Sequence, residues 1–258
     1  MAWTLFPYPD DAYVHDAASL KLAWPRLHAG DAEPFPHKAV LIEAWIAFHA
    51  GQFEHAAQLG LALGIAGYSV AHKATCVYAN YLEPNEKKKF ALFEEVAERC
   101  ERHQAEQSDN PAGFYWQAYA LGRYAQGISI LKALAHGIAP KVRADLERAI
   151  RLAPTHAEAH VALGAYHAEI ISTVGSLIAA LTYGARKDAC YAAFRQALAL
   201  NGDSPIARIE YANALIMLEG KKKMNEAVRL YQQALVLVPQ DAKERLETEI
   251  AKEQLEDE

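Results

Sequence analysis

The chain has 258 residues, is 52% hydrophobic and 22% charged, and carries a net charge of −6. That apolar fraction excludes disorder as the main state, and the acidic balance argues against a nucleic-acid partner, which would require a basic face. Fifty-one alanines against 14 glycines and 11 prolines favour helix along most of the chain.

The first ten residues, MAWTLFPYPD, lack the basic segment and apolar run of a secretory signal, so a cytoplasmic location is expected. Residues 1–35 read as a leader punctuated by Pro25, Gly30 and Pro34. Its aromatics Trp3, Phe6 and Tyr8 predict that it docks, since three free rings in water are costly. From 36 to 67, AWIAFHAGQFEHAAQLGLAL places Gly51 at a turn between two helices, and Gly60 to Gly67 reads as a close helix contact. Residues 70–108 show only alternating helical runs, and Gln107–Pro111 is a loop. Then come YWQAYALGRY near 115–124, a glycine-punctuated stretch at 127–141, and VRADLERAIRLAP at 142–154. AEAHVALGAYHA at 157–168 is followed by a second apolar stretch at 170–187, DACYAAFRQALAL at 188–200 and NEAVRLYQQALVLVP at 225–239. Ile170 to Ala185 is nearly uncharged but has 16 residues, short of the roughly 20 that a membrane span needs. The tail, 241–258, holds eight acids and three bases, with Leu246, Ile250 and Leu255 near helical spacing.

A spacing recurs in the second helices: a small residue, then a large one four later, alanine three later and proline five later, as in Ala227, Tyr231, Ala234 and Pro239. With Leu163-Gly164 and Tyr166 in the first helix, this resembles the tetratricopeptide repeat family, clearly over 141–240 and less closely over 36–67. The small residue lets antiparallel helices approach, and proline ends each pair. The resemblance implies an all-α fold, a right-handed superhelix of antiparallel helix pairs with two inter-helix insertions near 127–141 and 170–187. About five repeats would fill 36–240, with eleven to thirteen helices in all and 241–258 as an acidic capping helix. The same stretches and insertions resemble, more loosely, the helical component associated with periplasmic tripartite transporters and the regulator-of-microtubule-dynamics proteins.

In the tetratricopeptide family, ligands lie in the concave groove lined by the first helices. That implies a peptide-binding surface of Trp116, Tyr119, Arg123, Glu158, Glu169, Glu210 and Asn213, with Arg123 and Asn213 holding backbone or carboxylate groups. Trp116 and Tyr119 suit interhelix core equally well. Two alternatives stay open. The insertions close a pocket lined by Trp116, Tyr119 and Tyr183, with Arg186 and Lys187 at its mouth, making a small-molecule carrier. Or the insertions pair two copies as a homodimer.

Catalysis has no signature. No GxSxG, HExxH or phosphate-binding loop occurs, and no nucleophile is spaced to a base. His156, His160 and His167 lie near one helical face, but structural roles are expected rather than a metal site. The three cysteines, Cys76, Cys100 and Cys190, read as buried small hydrophobes in a reducing compartment. The lysine runs 87–89 and 221–223 read as solvated ends. No cofactor, metal or catalytic residue is expected; the expected partner is a protein or peptide.

Overall fold

The computed structural model describes residues 3–256. Asp257 and Glu258, the last acids of the tail, and Met1 and Ala2 of the leader lie outside the described residues. A short leader helix, α1 (Ala17–Leu27), is set by a capping box in which Asp16 and Ser19 exchange hydrogen bonds. Five helix pairs follow: α2 (Ala39–His49) with α3 (Phe53–Ala62), α4 (Tyr68–Tyr81) with α5 (Glu86–Glu106), and α6 (Pro111–Ile128) with α8 (Ile138–Leu152). The last two are α9 (Ala157–Val174) with α11 (Lys187–Leu200) and α12 (Pro205–Glu219) with α13 (Met224–Leu235). Asn85, Asn110 and Ser204 cap α5, α6 and α12, and proline stands at the first turn of α6 and α12. The weakly repeat-like stretch 70–108 thus forms a helix pair as regular as the others.

The inserted stretches are themselves helical: α7 (Ile130–Ala135) and α10 (Ser176–Tyr183). With α14 (Ala242–Glu256) they bring the total among the described residues to fourteen α-helices, more than the eleven to thirteen expected. The physical reason is local. Ile130, Ala133 and Leu134 pack onto the α6–α8–α9 core, so the first insertion is held by burial instead of looping out.

The pairs close through small residues. A Cβ on Gly164 would lie 2.7 Å from the Phe194 ring across the α9–α11 contact. A Cβ on Gly67 would lie 2.1 Å from the Gly60 carbonyl. Gly164→Ala is therefore expected to lower stability by about 1–3 kcal/mol through overpacking, read as a fall in the urea midpoint; an unchanged midpoint would mean that Phe194 swings away freely.

The leader is docked. Trp3 stacks on Tyr78 with ring centroids 4.1 Å apart, and Phe6 meets Phe53 edge-on at 6.3 Å. The tail does more than cap the last repeat. Ala242 and Leu246 join the buried cluster of Trp24, Trp45 and Phe48 at the first repeat, while Ala251 joins Ile209, Leu215 and Tyr231 at the last. Helix α14 therefore ties the two ends of the helix row together.

Candidate functional site

Helices α4, α6, α9 and α12, together with α7, α8 and α14, line a partly open cavity of about 110 Å³. One wall is apolar: Ile130 and Leu134 from α7, Ile138, Val142 and Leu146 from α8, and Val161 and Ile170 from α9. Aromatic rings form a second part, from Tyr81, Tyr115, Trp116, Tyr119 and Tyr166. The rest is charged: Arg123, Glu158, Glu169, Glu210, Lys243 and Glu247. Such a volume is of the order of one aromatic ring with its neighbours.

Six of the seven residues named from the repeat frame, Trp116, Tyr119, Arg123, Glu158, Glu169 and Glu210, line this cavity. Asn213 does not; it accepts a hydrogen bond from the Tyr231 hydroxyl across α12 and α13. Tyr183 is also absent from the lining, and its carbonyl accepts from Arg143 and from the Tyr166 hydroxyl. Arg186 and Lys187 do not guard a mouth: Arg186 faces Asp188 at 3.6 Å, and Lys187 pairs with Glu219 at 2.9 Å. Of the second stretch, 170–187, Ile170 is the one described residue in the cavity wall; α10 packs on the core through buried Ala179 and leaves Leu177 and Leu181 exposed.

The charged wall is internally paired. Arg123 donates to Glu210 at 2.9 Å and to Gln126 at 3.0 Å, with its guanidinium 5.4 Å from the Tyr119 ring centre. Gln126 in turn donates to Glu169. Lys243 sits between Glu158 at 2.9 Å and Glu247 at 2.5 Å, and Glu158 also accepts from the Tyr115 hydroxyl. Burial pushes Glu247 up to about 7 and Glu169 up to about 6. Burial would raise Glu158 too, but Lys243 and Lys73 outweigh it and hold it below the ordinary value.

The Glu247 value makes a prediction of definite sign. Below pH 4.5 the carboxyl is protonated in both states. Above it the unfolded chain loses the proton while the folded one keeps it, so a cost grows up to about pH 7. Glu247→Gln should therefore gain on wild type as pH rises from 5 to 8, by up to about 3 kcal/mol, in paired urea titrations. A difference that stays flat across that range would refute the raised value.

Beside the cavity lies a buried polar chain that no motif in the sequence announces. His28 Nδ1 is 2.8 Å from Asp31, His28 Nε2 is 3.2 Å from His49 Nε2, and His49 Nδ1 is 2.8 Å from Asp241. Three hydrogen bonds need three protons, and two neutral imidazoles bring two. Burial drives His28 down to about 4, with the charges of Lys73 and His49 adding to this against the attraction of Asp31, and it lowers His49 as well, so near neutral pH both rings are neutral and the chain holds two protons for three contacts. The Lys73 ammonium, 2.6 Å from Asp31, is the cation bonded to this chain. Asp241 also accepts from the Glu244 amide at 2.8 Å and so caps α14. The chain thus links the leader, α2, α4 and the start of α14. Next to it, the Glu158 amide donates to the Gly30 carbonyl at 2.8 Å, and Arg26 pairs with Glu244 at 2.6 Å.

The three histidines on α9 play separate parts. His156 accepts from the Ala159 amide, His160 donates to the Pro154 carbonyl, and His167 leaves Nδ1 without a hydrogen-bond partner. Among the described residues no three His, Cys, Asp or Glu side chains are grouped to hold a metal ion. Nor is any described helix long and apolar enough to cross a membrane. Cys76, Cys100 and Cys190 are buried and free, and burial raises all three thiols.

The row of helix pairs has a counterpart among solved structures. The crystal structure of a thermophilic tetratricopeptide-repeat protein of Thermus thermophilus superposes with a TM-score of 0.56 over 83% of this chain and 97% of that one, at 20% identity. The fold is of the tetratricopeptide-repeat kind. At that identity the likeness carries the tetratricopeptide architecture and leaves the ligand open. No family model and no curated protein matches the sequence. The chain is a row of helix pairs in which the tail and the first insertion cover part of the inner face.

Proposed function

We propose that this tetratricopeptide-type chain is a non-catalytic binding protein, and that its ligand enters the central cavity instead of lying along an open groove. The observation that carries this reading is the convergence of Trp116, Tyr119, Arg123, Glu158, Glu169 and Glu210 on one cavity bounded on further sides by α7 and α14. An apolar wall facing a few fixed polar groups is the usual build of a small-ligand site. An extended peptide is disfavoured, because Lys243 and Glu247 of α14 occupy the wall such a peptide would need. The ligand is then a small amphipathic molecule, or a side chain that a partner protein inserts. Buried free thiols fit a reducing, cytoplasmic setting.

Gly122 gives the test. It lines the cavity on α6, and a Cβ there meets nothing within 4 Å. Gly122→Leu should fill the cavity without strain and with a gain in helix propensity. Native mass spectrometry of wild type purified from cells should show a bound small molecule or partner that Gly122→Leu lacks. Equal loading of both forms would move the site elsewhere.

A second reading, self-assembly, rests on α10, where Leu177 and Leu181 are 73% and 80% exposed one turn apart. Light scattering should then give a dimer mass that Leu177→Lys/Leu181→Lys halves; a monomeric wild type ends that reading.

A further inference from the structure

We infer that the group recognised in the central cavity is an organic cation, a protonated amine carried on a short apolar body. The inference rests on the cavity reading above and adds the chemistry of the ligand.

The charge inventory of the cavity wall is uneven. Four carboxylates, Glu158, Glu169, Glu210 and Glu247, face two cations, Arg123 and Lys243. Both cations are already taken. Arg123 is held by Glu210 and Gln126 and lies over the Tyr119 ring, and Lys243 is shared by Glu158 and Glu247. Among the described residues an anionic ligand would find no free cation on this wall and four carboxyl groups around it. Glu169, by contrast, has only the neutral Gln126 amide as a bonded partner, and Glu158 and Glu247 share one ammonium. Two carboxyl groups thus lack a cation of their own in a partly open, largely apolar-walled site, where an opposite charge is worth more than in bulk water.

The second observation is independent of charge. Tyr81, Tyr115, Trp116 and Tyr119 line the same cavity, with Tyr115 and Tyr119 centroids 4.8 and 5.4 Å from that of Trp116. The faces of aromatic rings beside carboxylates attract an ammonium group, an attraction that an alcohol or a carboxylate does not share. The cavity of about 110 Å³ limits the body to a short branched chain or a single ring.

Burial raises Glu169 and Glu247 to about 6 and about 7, so near neutral pH each holds part of a proton. An arriving ammonium displaces it: R–NH₃⁺ and the carboxylic acid become an ammonium–carboxylate pair, and one proton leaves to the buffer. Binding should therefore release protons, which a neutral ligand of the same shape would not do.

Three probes share one carbon skeleton: 3-methylbutylamine, 3-methylbutan-1-ol and 3-methylbutanoate. Calorimetry at pH 6.5, in two buffers of different ionisation enthalpy, should show the amine binding at least about tenfold more tightly than the alcohol. It should also show proton release for the amine and no binding of the acid. Glu169→Gln/Glu247→Gln should lose that tenfold preference and the proton release while still taking up the alcohol. N-acetyl-lysine amide separates the sources of the amine: binding as tight as that of the free amine assigns the site to a side chain of a protein partner, and weaker binding assigns it to a free amine. If the alcohol binds as tightly as the amine, and Gly122→Leu abolishes both, the cavity reading stands and the cation inference is overturned. If the acid binds best, it is overturned too. If none of the probes binds wild type, the cavity reading itself fails.

Discussion

Lys73→Met is expected to destabilise the protein by about 3–5 kcal/mol. Lys73 is 2% exposed, and its ammonium lies 2.6 Å from Asp31 and 5.1 to 5.5 Å from the Phe48 and Trp45 ring centres. Methionine keeps the aliphatic stem between those rings, so what is lost is the charge. Asp31 would then be left as a buried carboxylate with hydrogen bonds from His28 and the Glu33 amide but no bonded cation. The shift in urea midpoint measures the cost. A double variant, Lys73→Met/Asp31→Asn, should recover a good part of it, because asparagine removes the uncompensated charge along with its partner. If Lys73→Met lies within about 0.5 kcal/mol of wild type, the Lys73 charge is not what stabilises Asp31 in this buried place.

The repeat architecture is legible because its signals are local. Gly164 and Phe194 hold one pair together, and Ala227, Tyr231 and Ala234 are all buried at the spacing the repeat requires. The pair α4–α5 is faint in sequence because α5 is rich in charge and most of its exposed length carries no pattern beyond helix. The cavity is half legible. Residues on the first helices follow from the repeat frame, which brings out Trp116, Tyr119, Arg123, Glu158, Glu169 and Glu210 together. The same frame misplaces Asn213, because it tells which helix face a residue occupies, and Tyr231 reaches that face from α13. The other side of the cavity is hidden. Lys243 meets Glu158 across 85 residues, and His49 meets Asp241 across 192. No local spacing encodes such pairs. An acidic tail with three bases reads as a solvated cap until Ala242, Leu246 and Ala251 are seen to be buried at opposite ends of the fold.

Ending the chain at Gln240 should then lower stability by about 4 kcal/mol or more, comparable to deleting one large buried side chain together with a buried ion pair. The truncation removes Leu246 from beside Trp45 and Phe48, Asp241 from His49, and Lys243 from Glu158. Glu158 would keep its contact with the Tyr115 hydroxyl but lose the nearer of the two cations that hold it ionised. At roughly 2–4 °C per kcal/mol, the melting temperature should fall by about 10 °C or more, read by circular dichroism. Ending the chain at Ala251 is the discriminating comparison. Lys252, Glu253 and Gln254 are exposed and Leu255 is only partly buried against the last repeat, so that form should melt within a few degrees of wild type. If the two truncations melt alike, the tail is only a solvated cap. If they differ as expected, the first part of α14 is the element that closes the helix row. Amine uptake should then survive truncation at Ala251 and be lost at Gln240, because Lys243 and Glu247 complete the cavity wall.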